Sequence, residues 1–112
     1  MLIMVSGPVS ADSNSLRVAR IDELNRVAAE VLKRGHVPLV GINAADAVIA
    51  RADVEDPYES VMKICEALAE RCDAVLVIGE SKGAWREIEI FKRRGCPVYR
   101  DVSEIPPVPS TN

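Results

Sequence analysis

Cysteine is scarce in this chain and unpaired. Cys65, Cys72 and Cys96 are an odd count with no CxxC spacing. The sequence therefore supports neither a disulfide framework nor a zinc knuckle, and a reducing cytoplasmic setting is the simplest one. Long apolar runs are missing too. No stretch approaches the roughly 18 residues of a membrane span, and the N-terminal MLIMV lacks a charged flank and runs into SGP, so it reads as a strand and not as a signal. Positive charge is not in surplus: the net charge is -3 and the pI near 5.2, with Lys and Arg scattered among acids. That leaves no basic face to neutralise phosphates, which argues against nucleic acid as a partner. GxGxxG and Walker A patterns are both absent, setting aside the classical dinucleotide and P-loop sites. Internal repeats are absent as well. Nothing in the chain calls for a metal or a cofactor.

What is present is enough for one core. At 112 residues and 48% hydrophobic content, the chain fits a single compact domain. LIMVS (2–6) is a nearly continuous apolar run ending at Gly7-Pro8, the mark of a strand buried on both faces. From Ser15 to Arg34, Ile21, Leu24, Ala28, Val31 and Leu32 recur at helical spacing, and Gly35 supplies the stop. VPLVGI (37–42) reads as a second strand. Residues 43–58 read as a polar, irregular connection in which AADAVIARA could form a short helix. Val61, Ile64, Cys65, Leu68 and Ala69 mark another amphipathic helix over Glu59 to Arg71, and DAVLVIG (73–79) is the clearest buried strand. GAWREIEIFKRRG makes a helix closed by basic residues and Gly95, CPVYR (96–100) a last strand, and EIPPVPSTN a Pro-rich tail.

Strands alternating with helices predict an α/β, Rossmann-like open sheet of four to five mainly parallel strands flanked by helices. Ligands of such sheets bind outside the carboxyl ends of the strands. Three stretches fall there: SGPVSADSNS, NAADAV and GESKGAWRE. Ser81 and Gly83 at a helix start, with its free N–H groups and positive dipole end, can hold an anion or simply cap the helix. Ser6, Ser10, Ser13 and Ser15 lie in the first loop, with Arg17 and Arg20 just inside the next helix. Asn43 and Asp46 are placed to touch a ribose or base, or merely water. Trp85 reads as packing against a neighbouring helix or a second subunit, and His36 as a surface residue at the end away from the site. Asp73 reads as a helix cap or a partner of Arg71.

The order of short motifs carries a resemblance. MVSGP at the first strand, CDAVLVI before the turn, SKGAWRE with an S-x-G-x-x-x-E frame, and GCPVY one helix later resemble the nucleoside 2-deoxyribosyltransferase superfamily. That superfamily includes the 2'-deoxynucleoside 5'-phosphate N-hydrolases and a set of small relatives. The resemblance covers residues 1–105, with 106–112 as the tail, and is strongest over 72–100. It implies a Rossmann-like domain, dimeric or larger, that cleaves the N-glycosidic bond of a nucleoside or nucleotide. It implies Glu87 as the catalytic nucleophile and Ser81 and Gly83 as phosphate contacts. With them go Ser6, Gly7, Pro8, Ser10, Ser13 and Asn43 as further substrate-binding residues. Ser81 stands where true transferases carry Asp, which leans toward a 5'-phosphorylated ligand. Cys65 stands where the superfamily commonly carries an Asp that helps proton transfer or holds the sugar. A Cys on an apolar stripe reads as a small core residue. Two functions follow: an N-glycosidase or transferase, or a catalytically silent nucleotide-binding module or sensor with the same cleft.

Overall fold

The computed structural model describes residues 1–108. Four strands, β1 (Leu2–Ser6), β2 (Val37–Leu39), β3 (Ala74–Val77) and β4 (Val98–Tyr99), form one sheet in the order β2-β1-β3-β4. Every pairing is parallel, with Met4 opposite Leu39 and Val75, and Leu76 opposite Tyr99. Helices α1 (Asn14–Lys33), α2 (Gly41–Ala52), α3 (Pro57–Ala69) and α4 (Lys82–Arg93) make the connections. A 3-10 turn, Val102–Glu104, follows β4. This is the α/β, Rossmann-like architecture the alternating pattern predicts, with four strands. The last four residues of the expected tail lie outside the described residues.

Side-chain alternation along the two central strands splits the core into two layers. Ile3, Val5, Ala74 and Leu76 face α1, where Leu24, Val27, Ala28 and Val31 receive them together with Ile105 from beyond the 3-10 turn. Met4, Val75 and Val77 face the other way onto α4, against Ala84, Ile88 and Phe91. Phe91 is fully buried, and removing such a side chain from water is worth about 2–3 kcal/mol. Arg94, just past α4, donates from Nη1 to the Ala69 and Cys72 carbonyls at 2.8 and 2.7 Å. Ala69 is the last residue of α3 and Cys72 closes the turn after it, so the guanidinium ties the end of α4 to the turn between α3 and β3.

Several local expectations are corrected. The second strand is only three residues, because Val40 caps a helix that begins at Gly41. The connection over 43–58 is accordingly α2, which contains the short helix expected over AADAVIARA, a four-residue link, and the start of α3. The Ala-rich GINAADAVIARA outweighs its Asn and Asp, which lie on exposed helix positions. α3 begins earlier than the apolar stripe suggests, with Asp56 as N-cap and Pro57 in its first turn, an arrangement that needs no N–H from Pro. Leu32 is 60% exposed, and Val27 takes its place on the buried stripe of α1.

His36 is not a surface residue. It is buried, with Met1's amine 2.9 Å from Nδ1 and the Pro106 carbonyl 2.6 Å from Nε2. An amine that donates to Nδ1 leaves Nε2 as the proton-bearing nitrogen, which donates to Pro106. Asp73 neither caps a helix nor pairs Arg71: its Oδ2 accepts the Leu2 amide at 2.7 Å, fastening the start of β1 to that of β3. Trp85 does not pack on a neighbouring helix. Its ring is largely exposed, and the indole N–H donates to Glu80.

Candidate functional site

The strand order reverses between β1 and β3. The chain leaves β1 for β2 on one side and later returns to place β3 on the other. At such a switch point the connections diverge to opposite faces and open a crevice at the carboxyl edge. A cleft of about 640 Å³ lies there, walled by the loop after β1, the starts of α2 and α3, and the start of α4. That volume is within the range of small-molecule sites.

The floor is set by close backbone packing. A Cβ on Gly7 would stand 2.9 Å from Ile78 Cγ1, and one on Gly79 would stand 2.8 Å from Pro8 Cδ. The loops leaving β1 and β3 are thus pressed together where both glycines leave room. Ser6 ends β1 beside them, buried, with its Oγ facing no hydrogen-bond partner.

Glu87 sits on the second turn of α4 and is only 9% exposed. Burial pushes its carboxyl up from the ordinary 4.5 to about 7, the Ser6 hydroxyl draws it back down, and the charge of Glu66 adds to the rise. Ser6 lines the same cleft as Glu87, and no hydrogen bond of ordinary geometry joins its hydroxyl to that carboxyl or to any other described group. At neutral pH the acid and its anion are both well populated. Such a group can give or take a proton, or attack as the anion.

Around this carboxyl the cleft divides by chemistry. One wall is the N-terminus of α4, where Ser81 Oγ accepts the Ala84 amide at 3.0 Å. The cap uses an acceptor of that hydroxyl and leaves its proton free. The first-turn amides of Lys82 and Gly83 have no helical carbonyl to bond. Arg17 and Arg20 stand at the rim, the first joined to Asp46 at 2.7 Å and the second donating to the Ser10 carbonyl. Much of the remaining lining is apolar: Val40, Ile42, Ile49, Val61 and Met62, with Tyr58. Met62 and Tyr58 reach the helix start itself, where a Cβ on Gly83 would lie 3.2 Å from Met62 Sδ and 3.8 Å from the Tyr58 hydroxyl. An anionic group is welcome at the helix start and a flat or apolar body against these side chains.

Of the residues singled out in the sequence, Glu87, Ser6, Gly7 and Pro8 line this cleft, as do Ser10, Ser81 and Gly83. Ser13 and Asn43 do not. Ser13 is spent as the N-cap of α1, accepting the Leu16 amide at 3.2 Å, and Asn43 donates to Asn25 across α1 and α2 at 2.5 Å. Cys65 is both core and wall: it is buried, yet it lines the cleft. Burial, then the charges of Glu87 and Glu66, push its thiol up to about 12, so it stays protonated. The wall contributed by Ile49, Tyr58 and Met62 carries no sequence signal beyond helical spacing. Among the described residues, no cluster of three or more His, Cys, Asp or Glu side chains is arranged to hold a metal ion. Nor is any helix among them long and apolar enough to cross a membrane.

Residues 2–101 match the family described as Domain of unknown function (DUF1937). The chain belongs to the DUF1937 family. Neither a curated protein nor a solved structure matches it. The matched span of this DUF1937 chain takes in all four strands and every wall of the cleft, from Val5 to Glu87.

Proposed function

We propose that this DUF1937 protein cleaves, or transfers, the N-glycosidic bond of a nucleoside 5'-monophosphate, deoxyribose preferred, with Glu87 as nucleophile. One observation carries the reading: a buried carboxyl stands on the floor of the carboxyl-edge cleft, beside a helix start with free amides. In the reaction, a Glu87 oxygen bonds to the anomeric carbon as the carbon–nitrogen bond breaks. The departing base takes the bond's electron pair and then a proton from solvent. Water, or a second base, attacks the resulting ester and frees Glu87. The transition state is oxocarbenium-like, and the carboxylate opposes its positive charge. The amides of Lys82 and Gly83, the Ser81 hydroxyl and the rim arginines take the 5'-phosphate, and the apolar wall takes the base. The protein acts in the cytoplasm as a homodimer or higher homo-oligomer in this reading, and a strictly monomeric mass in solution contradicts that part.

The protonated thiol of Cys65 favours a second reading. Where the resemblance places an Asp, this chain has a group unable to exchange protons near neutral pH. A nucleotide-binding module without turnover uses the same cleft. Incubation with a panel of ribo- and deoxyribonucleoside 5'-monophosphates, followed by chromatography for free base, separates the two. Base released by the parent and not by Glu87→Ala establishes glycosidic cleavage. Binding of a monophosphate without release, and without exchange onto a second base, establishes the module. Neither binding nor release ends both.

A further inference from the structure

Ser6 is the residue whose position the rest of the fold leaves unexplained. It ends a central strand, it is buried, and among the described residues its Oγ is the buried side-chain oxygen without a hydrogen bond. An unpartnered buried hydroxyl costs about 1–3 kcal/mol, so a serine here lowers stability where Ala would not. The backbone around it has little room to relax, because Gly7 and Gly79 lie against Ile78 and Pro8. The hydroxyl faces the same cleft as Glu87, and a serine hydroxyl turns freely to donate to whichever acceptor is charged.

We propose that Ser6 is a positioning residue for Glu87: its hydroxyl donates to the Glu87 carboxylate when that group is ionised, and holds the attacking oxygen toward the floor of the cleft. The cost of the idle hydroxyl is then recovered only in the ionised form. The other groups acting on Glu87 oppose that form or stay neutral. Glu66 on α3 repels it, Cys65 on α3 is an uncharged thiol, and Arg86 on α4 is engaged by Glu59 and Glu66. Without Ser6, burial and Glu66 act alone. The consequence for rate rests on the reading of Glu87 as nucleophile, but the bond itself does not.

The test reads the carboxyl directly. Glu87 is followed by carbon-13 carboxyl NMR across pH 4–9 in the parent, Ser6→Ala, Ser6→Cys and Ser6→Thr, with amide spectra reporting the fold. The expected result is a midpoint raised by about one pH unit in Ser6→Ala. Ser6→Cys, whose thiol is a weak donor, follows in the same direction, and Ser6→Thr, which keeps the hydroxyl, stays with the parent. A merely structural role would not move this midpoint in a folded variant. An unchanged or lowered midpoint in Ser6→Ala or in Ser6→Cys overturns the proposal. Because no turnover is required, absence of base release in the nucleotide panel would sink the glycosidase reading and leave this result standing.

Discussion

The Sγ of Cys65 fills the space beside Gly41: a Cβ built on Gly41 would lie 2.6 Å from it. The start of α2 and the middle of α3 therefore touch through a thiol and a bare backbone. Gly41→Ala forces that thiol onto another rotamer in a packed wall, and overpacking of this kind costs about 1 kcal/mol or more. In a Cys65→Ala background the same substitution is expected to cost less, because the obstacle is gone. Urea denaturation of the four members of the cycle measures the difference.

The buried acid makes stability depend on pH with a definite sign. The folded carboxyl of Glu87 titrates near 7, above its ordinary 4.5, so between those values the native state binds more protons than the unfolded chain. The stabilisation is fully present below about 4.5 and is lost as pH rises through 7, by roughly 3 kcal/mol in all. Glu87→Gln removes that slope. Urea midpoints at pH 5 and pH 8 should show the variant overtaking the parent at the higher pH.

Nucleophilic attack needs the anion. If Glu87 attacks the sugar, kcat/KM for base release rises with pH and levels off above about 7, whereas a purely acidic role gives the opposite limb. Glu87→Asp, which withdraws the oxygens by one methylene, should lower the plateau by about 10²-fold while leaving monophosphate binding nearly intact. Rates over pH 5–9 with subsaturating nucleotide read both effects.

Arg86 and Glu66 form a lever on the same carboxyl. Arg86 Nη2 lies 2.7 Å from Glu66, and Nη1 lies 2.7 Å from Glu59. The Glu66 charge raises the Glu87 pKa. Arg86→Gln leaves Glu66 uncompensated and should move the Glu87 midpoint upward by a few tenths of a unit. Glu66→Gln should move it down, and the double variant should resemble Glu66→Gln. The carboxyl NMR titration gives the order of the four midpoints.

Much of this arrangement is visible in the sequence, for identifiable reasons. β1 and β3 are continuous apolar runs ending at Gly7 and just before Gly79, so the sheet, its direction and the loops at its carboxyl edge can be read from local pattern. That the helix bearing Ser81 and Glu87 starts at the cleft follows from position, since a helix after a buried parallel strand starts there; Glu87 itself is singled out by the resemblance and not by position, and Ser81 serves as the N-cap. The body of α2 is legible as AADAVIARA, but its first turn is not, because VPLVGI reads on as strand and Asn43 favours a loop; the side-chain partners of Asn43 and Asp46, Asn25 and Arg17, lie on another helix. The burial of His36 depends on groups 35 and 70 positions away, and no local pattern encodes those. The apolar wall from α2 and α3 depends on how two helices pack, which spacing within either one does not reveal.

The imidazole of His36 has a consequence for how the chain can be rebuilt. It joins Met1 to Pro106, and the neighbouring Arg34 holds Ile105 through its guanidinium, at 2.8 Å, while its carbonyl receives the Val108 amide at 2.9 Å. The first and last described segments thus meet at the amino end of the sheet, behind the cleft. Gly95, between α4 and β4, lies at that same end with open space around its α-carbon. A circularly permuted gene, with a linker joining the old ends and new ends cut at Gly95, should therefore yield a protein whose mouth is untouched. Reporter domains attached at Met1 or directly after Val108 would sit on the far side from the cleft mouth.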